Sequence, residues 1–282
     1  MAVPKIRLDV LLVAQGLAES RSKAQALIMA GLVYLGEQKL DKAGLELPED
    51  APLMVRGKEH PWVSRGGMKL AHALAEFPIL VEGKMAIDIG ASTGGFTDVL
   101  LHHGAAKVFA VDVGHGQLDN KLRTDARVVV MENTNARHLS ADLFSSFLPP
   151  AGGRIGGGHA DTTCVPISPH PNPPPEGEGI FDLLVCDASF ISLKKVLPAA
   201  MALAAEGADL VALVKPQFEV GKAEVSRGKG VIRDSALHEA VCADIQAWLA
   251  ESSWAVQGLA ESPITGPKGN KEFLVWAKRE KF

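Results

Sequence analysis

Cysteine is scarce in this chain. Cys164, Cys186 and Cys242 stand far apart with no CxxC pair, a distribution that supports neither a disulfide framework nor a zinc site and fits a reducing, cytoplasmic setting. Long apolar runs are missing as well. The stretch MAVPKIRLDVLLVAQGLAES is interrupted by Arg7 and Asp9, so no secretory signal is expected. Glu206, Gly207 and Asp209 break VLPAAMALAAEGADLVALV into a helix and a strand, which leaves no membrane span and no membrane partner to expect. Nor is there a large excess of one charge. The net −4 conceals ten Lys or Arg against eight Asp or Glu in residues 1–69, leaving −6 for the remainder, so contact with an anionic polymer must use local basic patches. With 47% hydrophobic and 22% charged residues over 282 positions, the chain reads as a globular protein with one large domain and one small one.

What is present begins with two helical patterns. Residues 5–17 place Ile6, Val10, Leu11 and Leu17 near helical spacing, and Ser20 is suited to cap a second helix, RSKAQALIMA, closed by Gly31. VYLGEQKL then reads as a strand and a turn at Gly36, and LELPEDAPLMV as a second strand-like run. The sequence RLDVLL followed by ESRSKAQALIMAGLVYL resembles the S4 RNA-binding domain over roughly residues 5–57. That resemblance implies that Arg7, Arg21 and Lys23 point at RNA phosphate; taken singly, such charges also fit the solvated face of amphipathic helices.

KEHPWVSRGGM, residues 58–68, has the proline and glycines of a connector and an exposed-looking Trp62. The expected organisation is a small domain over 1–57, a linker over 58–68 and a large domain over 69–282. From Lys69 onward a helix precedes the strand MAIDIG, a glycine-rich turn, the helix FTDVLLHHG and the strands KVFAVDV, RVVVM, FDLLVCD and DLVALV. This alternation predicts an α/β fold: a Rossmann-like, doubly wound parallel sheet, with a small α+β domain at the N-terminus. Residues 151–179, rich in Gly and Pro with no apolar period, are expected to form a disordered insertion. Its His159, Cys164 and His170 match no common metal spacing, so no metal is expected.

In IDIGASTGGFTDVLL the glycines Gly90, Gly94 and Gly95 lie between a strand and a helix, where the backbone can approach a ligand closely. The spacing GxxxGG is neither the dinucleotide GxGxxG nor a phosphate loop, which lacks its GK[ST] ending here. Asp112 ends the next strand twenty-two positions after Gly90, where an acid can accept hydrogen bonds from ribose hydroxyls. A nucleoside without a phosphate site points to S-adenosylmethionine, and GASTGGF resembles the first motif of methyltransferases that use it. On that resemblance Gly90, Ala91, Ser92, Thr93, Gly94, Gly95 and Phe96 cradle the cofactor, Asp88 orders the turn or meets the cofactor's amino group, and Asn133 and Asn135 in ENTNAR lie where related enzymes bind adenine.

Four separated segments each carry a charge suited to methylating a hydroxyl: Lys69 in VSRGGMKL, Asp187 in FDLLVCDASF, Lys215 in LVALVKPQF and Glu272 in GPKGNKEF. The ordered set resembles the K-D-K-E tetrad of the FtsJ-like ribose 2′-O-methyltransferases, and joined to an S4 domain it resembles the TlyA family, some members of which carry the name haemolysin. The resemblance covers nearly the whole chain outside the insertion; His60 is a second departure. It implies methylation of the 2′-hydroxyl of cytidine in ribosomal RNA, within ribosomal subunits, by a cytoplasmic protein expected to be a monomer. A ribose hydroxyl is a poor nucleophile, so Lys215 is assigned to take or steer its proton, Asp187 to position Lys215, and Glu272 to hold Lys69. Arg65 and the loop with Lys222, Arg227, Lys229 and Arg233 suit RNA phosphate. Three alternatives are an RNA-binding protein with a vestigial methyltransferase fold, a membrane-active haemolysin, and a small-molecule methyltransferase, against which the S4-like domain argues.

Overall fold

The computed structural model describes residues 5–29, 31–55, 60–147, 179–228, 230–266 and 268–281, and the chain divides into two compact units between Pro61 and Trp62. That division falls inside the stretch 58–68. The insertion, apart from Gly179, and Lys229 lie outside the described residues.

The first unit contains β1 (Lys5–Arg7), α1 (Leu8–Ala14), α2 (Arg21–Met29), β2 (Val33–Leu35), β3 (Gln38–Lys39), β4 (Glu46–Pro48) and β5 (Leu53–Val55). The helix expected over residues 5–17 is shorter: Lys5–Arg7 pair with Glu46–Pro48 as an antiparallel ribbon, and the helix begins only at Leu8. That start turns Leu8, Leu11 and Leu12 inward against Ala24, Ile28 and Val33 and leaves Val10 exposed. Ser20 caps α2 as expected, accepting from the Lys23 amide at 3.2 Å.

The second unit is built on a seven-stranded sheet. Its elements are α3 (Gly66–Glu76), β6 (Met85–Ile89), α4 (Gly95–His102), β7 (Lys107–Val111), α5 (Asn120–Arg123), β8 (Val128–Met131), β9 (Phe181–Cys186), α6 (Leu193–Val196), α7 (Pro198–Ala202), β10 (Ala204–Val214), α8 (Pro216–Glu219), α9 (Lys222–Arg227), α10 (Ser235–Glu251), β11 (Trp254–Glu261) and β12 (Phe273–Arg279). Strand order is β11-β12-β10-β9-β6-β7-β8. The pairings β10–β9, β9–β6, β6–β7 and β7–β8 are parallel, whereas β12 runs antiparallel to both β10 and β11.

Val, Ile, Leu and Ala fill the central strands because both faces are covered. One face packs α6, α7 and α10 around Ile87, Phe109, Phe181, Leu184 and Trp254, and the other packs α3 and α4 around Leu70, Val99, Leu100, Val185 and Leu213. The chain order reverses between β6 and β9, and a crevice opens there at the carboxyl ends of the strands. No described helix is long and apolar enough to cross a membrane.

Candidate active site

The crevice receives one charged residue from each of four elements. Asp187 follows β9 and Lys215 follows β10, so both emerge at the carboxyl edge of the parallel strands. Glu272 reaches the same edge because β12 is antiparallel: its first residue, Phe273, pairs with Val214, the last of β10. Lys69 is delivered by the first turn of α3, which packs on the sheet through Leu70 and Ala73.

The four side chains form one chain of alternating charge. Lys69 Nζ lies 2.8 Å from Glu272 Oε2 and 3.3 Å from Asp187 Oδ2, and Lys215 Nζ lies 2.7 Å from Asp187 Oδ1. The Lys69–Glu272 approach is close but is not aligned as a hydrogen bond, so Oε2 is held by charge alone. Lys69, Lys215 and Glu272 are buried and Asp187 is part-exposed, which makes Asp187 the solvent-facing member. Lys215 also donates to the carbonyls of Asp187 and Ala188 at 3.0 and 3.1 Å and to Ser189 Oγ at 2.8 Å. Four acceptors thus compete for three N–H groups.

The glycine-rich turn adjoins this set. Gly90 has φ +81°, and a Cβ there would stand 2.9 Å from Ala188 Cα, so only glycine lets the turn approach the Asp187 loop so closely. A Cβ on Gly95 would meet the Gly67 amide at 2.7 Å, so glycine there lets α3, and with it Lys69, close onto the start of α4. Asp88 is fully buried: its Oδ2 accepts from Thr97 N and Oγ1 at 3.0 and 2.7 Å, while Oδ1 has no partner. Burial pushes its carboxyl up to about 7, against the two Thr97 hydrogen bonds. Asp112 accepts from Ser92 N and Gly114 N, both at 2.7 Å, and so ties the glycine turn to the loop after β7.

Two connected hollows result. The smaller, about 330 Å³, is lined by the four charged residues together with Arg65, Asp88, Gly90, Ala91, Ser92, Thr93, Gly95 and Phe96. The larger, about 1340 Å³, runs past Asp112, Val113, Gln117 and Asn135 to Phe190 and Phe218, and it shares Gly90, Ser92, Asp187 and Ser189 with the first. Asn135 accepts from the Arg137 amide and lines this cleft, whereas Asn133 is exposed, has φ +54° and turns its amide toward His115. Gly94, at φ +92°, caps α4 without lining either hollow. Burial holds the Cys186 thiol up at about 12, which makes it a poor nucleophile despite its place beside Asp187. Among the described residues no cluster of His, Cys, Asp and Glu could hold a metal ion.

Several contributors went unnoticed in the sequence. Glu132 accepts from Arg123 and from the Gln117 and Leu118 amides, fixing one wall of the larger cleft, and Arg123 holds its carboxyl down at about 2. Asn270 pins the Gly230–Ile232 segment to the turn before Glu272, accepting from Ile232 N and donating to Gly230 O, both at 2.9 Å. Each lies inside a run already of interest, ENTNAR or GPKGNKEF, but its partner is far away in sequence.

A sequence profile of the FtsJ-like methyltransferases matches residues 62–279, and one of the S4 domain matches residues 6–51. The chain belongs to the FtsJ-like methyltransferase family. YqxC of Bacillus subtilis is 44% identical over 275 residues, spanning 98% of this chain and 86% of that protein. The Mycobacterium tuberculosis protein named 16S/23S rRNA (cytidine-2'-O)-methyltransferase TlyA is 42% identical over 277 residues, 98% of this chain and 91% of its own. A solved structure of a hemolysin-named protein from Streptococcus thermophilus has a TM-score of 0.68 at 40% identity and covers 99% of this chain and 90% of that one. With an S4 domain ahead of the FtsJ-like domain, the chain is a TlyA-family methyltransferase. In this S4 domain Arg7 and Arg21 are half exposed and share the buried carboxylate of Asp9, and Lys23 is exposed.

Proposed function

We propose that this protein transfers a methyl group from S-adenosylmethionine to the 2′-hydroxyl of a cytidine ribose in ribosomal RNA. Residues 1–57 dock on the RNA through Arg7, Arg21 and Lys23, residues 58–68 connect, and residues 69–282 react, in a cytoplasmic monomer acting on ribosomal subunits. The observation that carries the reading is the convergence of Lys69, Asp187, Lys215 and Glu272 in a single hollow beside the glycine turn.

The residues present fit the cofactor. The backbone at Gly90 is bare, the Asp112 oxygens keep lone pairs for ribose hydroxyls, and the orphaned Asp88 Oδ1 is an acceptor suited to an ammonium group. When bound, S-adenosylmethionine supplies a methyl group already activated by the sulfonium charge. The protein must then align the hydroxyl and manage its proton. Lys215 Nζ is fixed by Asp187 and two carbonyls, and its contact to Ser189 Oγ is to a hydroxyl, the same chemical group that the ribose brings. An incoming 2′-hydroxyl that replaces Ser189 at Lys215 is held there and its proton steered away from the oxygen that attacks. Asp187 orients Lys215, and Glu272 keeps Lys69 in place so that Asp187 sits between two amines. Alignment contributes the larger part of the acceleration, roughly 7 kcal/mol or more, and proton management about 10²- to 10⁴-fold.

The test is transfer of labelled methyl from S-adenosylmethionine to undermodified ribosomal subunits, with the modified nucleoside mapped by mass spectrometry. Lys215→Ala is expected to lower the rate about 10²- to 10⁴-fold while still binding cofactor. Wild-type rates from that variant, or a methylated base in place of ribose, would overturn the assignment.

A further inference from the structure

Between Cys186 and Leu193 the chain carries no helix or strand, yet this loop supplies most of what holds Lys215. Phe190, at its tip, is 91% exposed and has φ +66°, a left-handed conformation that its Cβ disfavours. Such a loop needs fastening from outside. The fastening comes from the turn that follows Lys215. Glu219 Oε2 accepts from Ser192 Oγ at 2.5 Å and Glu219 Oε1 from Leu193 N at 2.8 Å, while Ser192 Oγ accepts from Lys194 N and caps α6. Midway, Phe218 meets Phe190 with ring centroids 5.2 Å apart. Three rungs therefore join the segments 187–193 and 215–219: the Lys215 amine at one end, the aromatic pair in the middle and the Glu219 carboxylate at the other. Burial pushes the Glu219 carboxyl up from its ordinary value against its hydrogen bonds with Ser192 and Leu193, so the group is kept there at a cost.

We infer that Glu219 is a positioning residue for methyl transfer: by clamping Ser192 and Leu193 to the turn after Lys215, it sets the geometry in which the Asp187–Ser189 carbonyls and hydroxyl hold the Lys215 amine. The inference rests on the proposed methyltransferase reaction and adds a residue outside the four charged ones. Glutamine can reproduce both contacts, accepting from Leu193 N and donating to Ser192 Oγ, whereas alanine loses both.

Methyl transfer by the full-length protein to undermodified ribosomal subunits, with the cofactor Kd by calorimetry, decides the matter. Glu219→Ala is expected to lower kcat about 10- to 100-fold with the cofactor Kd within about 3-fold of wild type, and Glu219→Gln to recover kcat to within about 3-fold. Ser192→Ala removes one hydroxyl only, so it tests the clamp even if Glu219→Ala does not fold; it is expected to lower kcat about 5-fold or more, and Ser192→Ala with Glu219→Ala to be no slower than Glu219→Ala alone. Wild-type kcat in Ser192→Ala, a glutamine variant as slow as the alanine one, or losses that multiply in the double variant would each overturn the clamp. Absence of transfer by the wild-type protein would instead overturn the reaction itself.

Discussion

Asp9 in the S4 domain and Asp88 in the methyltransferase domain are both fully buried carboxylates, and their surroundings drive them in opposite directions. Asp9 is met by Arg7 at 3.1 Å, Arg21 at 2.8 Å and Gln25 at 2.9 Å, and the Arg7 hydrogen bonds above all hold its carboxyl well below the usual range. Asp88 has Thr97 on one oxygen and nothing on the other, and burial drives it up to about 7. Burial by itself does not decide the state of an acid; the presence of a cationic partner does. Asp9 receives its partners from the fold itself, whereas the open Asp88 oxygen is the one proposed to meet the cofactor's amino group. Asp9 also orders the two arginines proposed to face RNA.

The sharpest way to break this contrast is to remove the charge at Asp88. Asp88→Asn keeps an acceptor for Thr97 but cannot pair with a cationic amine, so cofactor affinity by calorimetry is expected to fall about 10- to 100-fold. Unchanged affinity would mean that the open oxygen faces no ligand. The same change at Asp9 is expected to act on folding instead: Asp9→Asn should destabilise the S4 domain by about 2 kcal/mol, a figure kept low because both arginines are half exposed, and leave cofactor affinity alone. Amide exchange in α1 and α2 reads that loss. Asp9→Asn with unaltered exchange would show that the arginines do not depend on it.

A further effect is in the pH dependence of the wild type. Between about pH 4 and 7 the folded methyltransferase domain binds a proton at Asp88 that the unfolded chain has released, so this contribution to stability declines as pH rises through that window and is level above about 7. Asp9 works the other way. Its folded value is depressed, so its contribution is complete above about pH 4 and is lost only as pH falls below it. Denaturant midpoints at pH 5 and pH 8, read separately for the two domains, should therefore fall in the methyltransferase domain and stay level in the S4 domain as far as these two acids are concerned. Asp88→Asn should remove its share of that slope.

Much of this was legible in the residues. A charge following a buried apolar run must emerge at a strand end, which located Asp187 and Lys215, and the glycine turn and Asp112 follow the same reasoning at the neighbouring strands. The parallel sheet was expected from the alternation of strands and helices, although the antiparallel β12 that carries Glu272 into place was not. Lys5–Arg7 misread as helix because a three-residue strand exists only through its partner at Glu46–Pro48, a contact that local periodicity does not contain. Glu219, Glu132 and Asn270 stayed hidden for a related reason: each works through backbone amides or hydroxyls many positions away, and such acceptors have no signature of their own in the string.

The location of the four charges has a practical consequence. Lys69 belongs to the part of the methyltransferase domain before Phe147, while Asp187, Lys215 and Glu272 all belong to the part after Gly179, and β6 and β9 zip the two parts together in the middle of the sheet. A polypeptide severed between those points has neither half of the site in full. Enzymatic turnover by two co-expressed fragments would then serve as a direct reporter of their reassembly across the β6–β9 pairing.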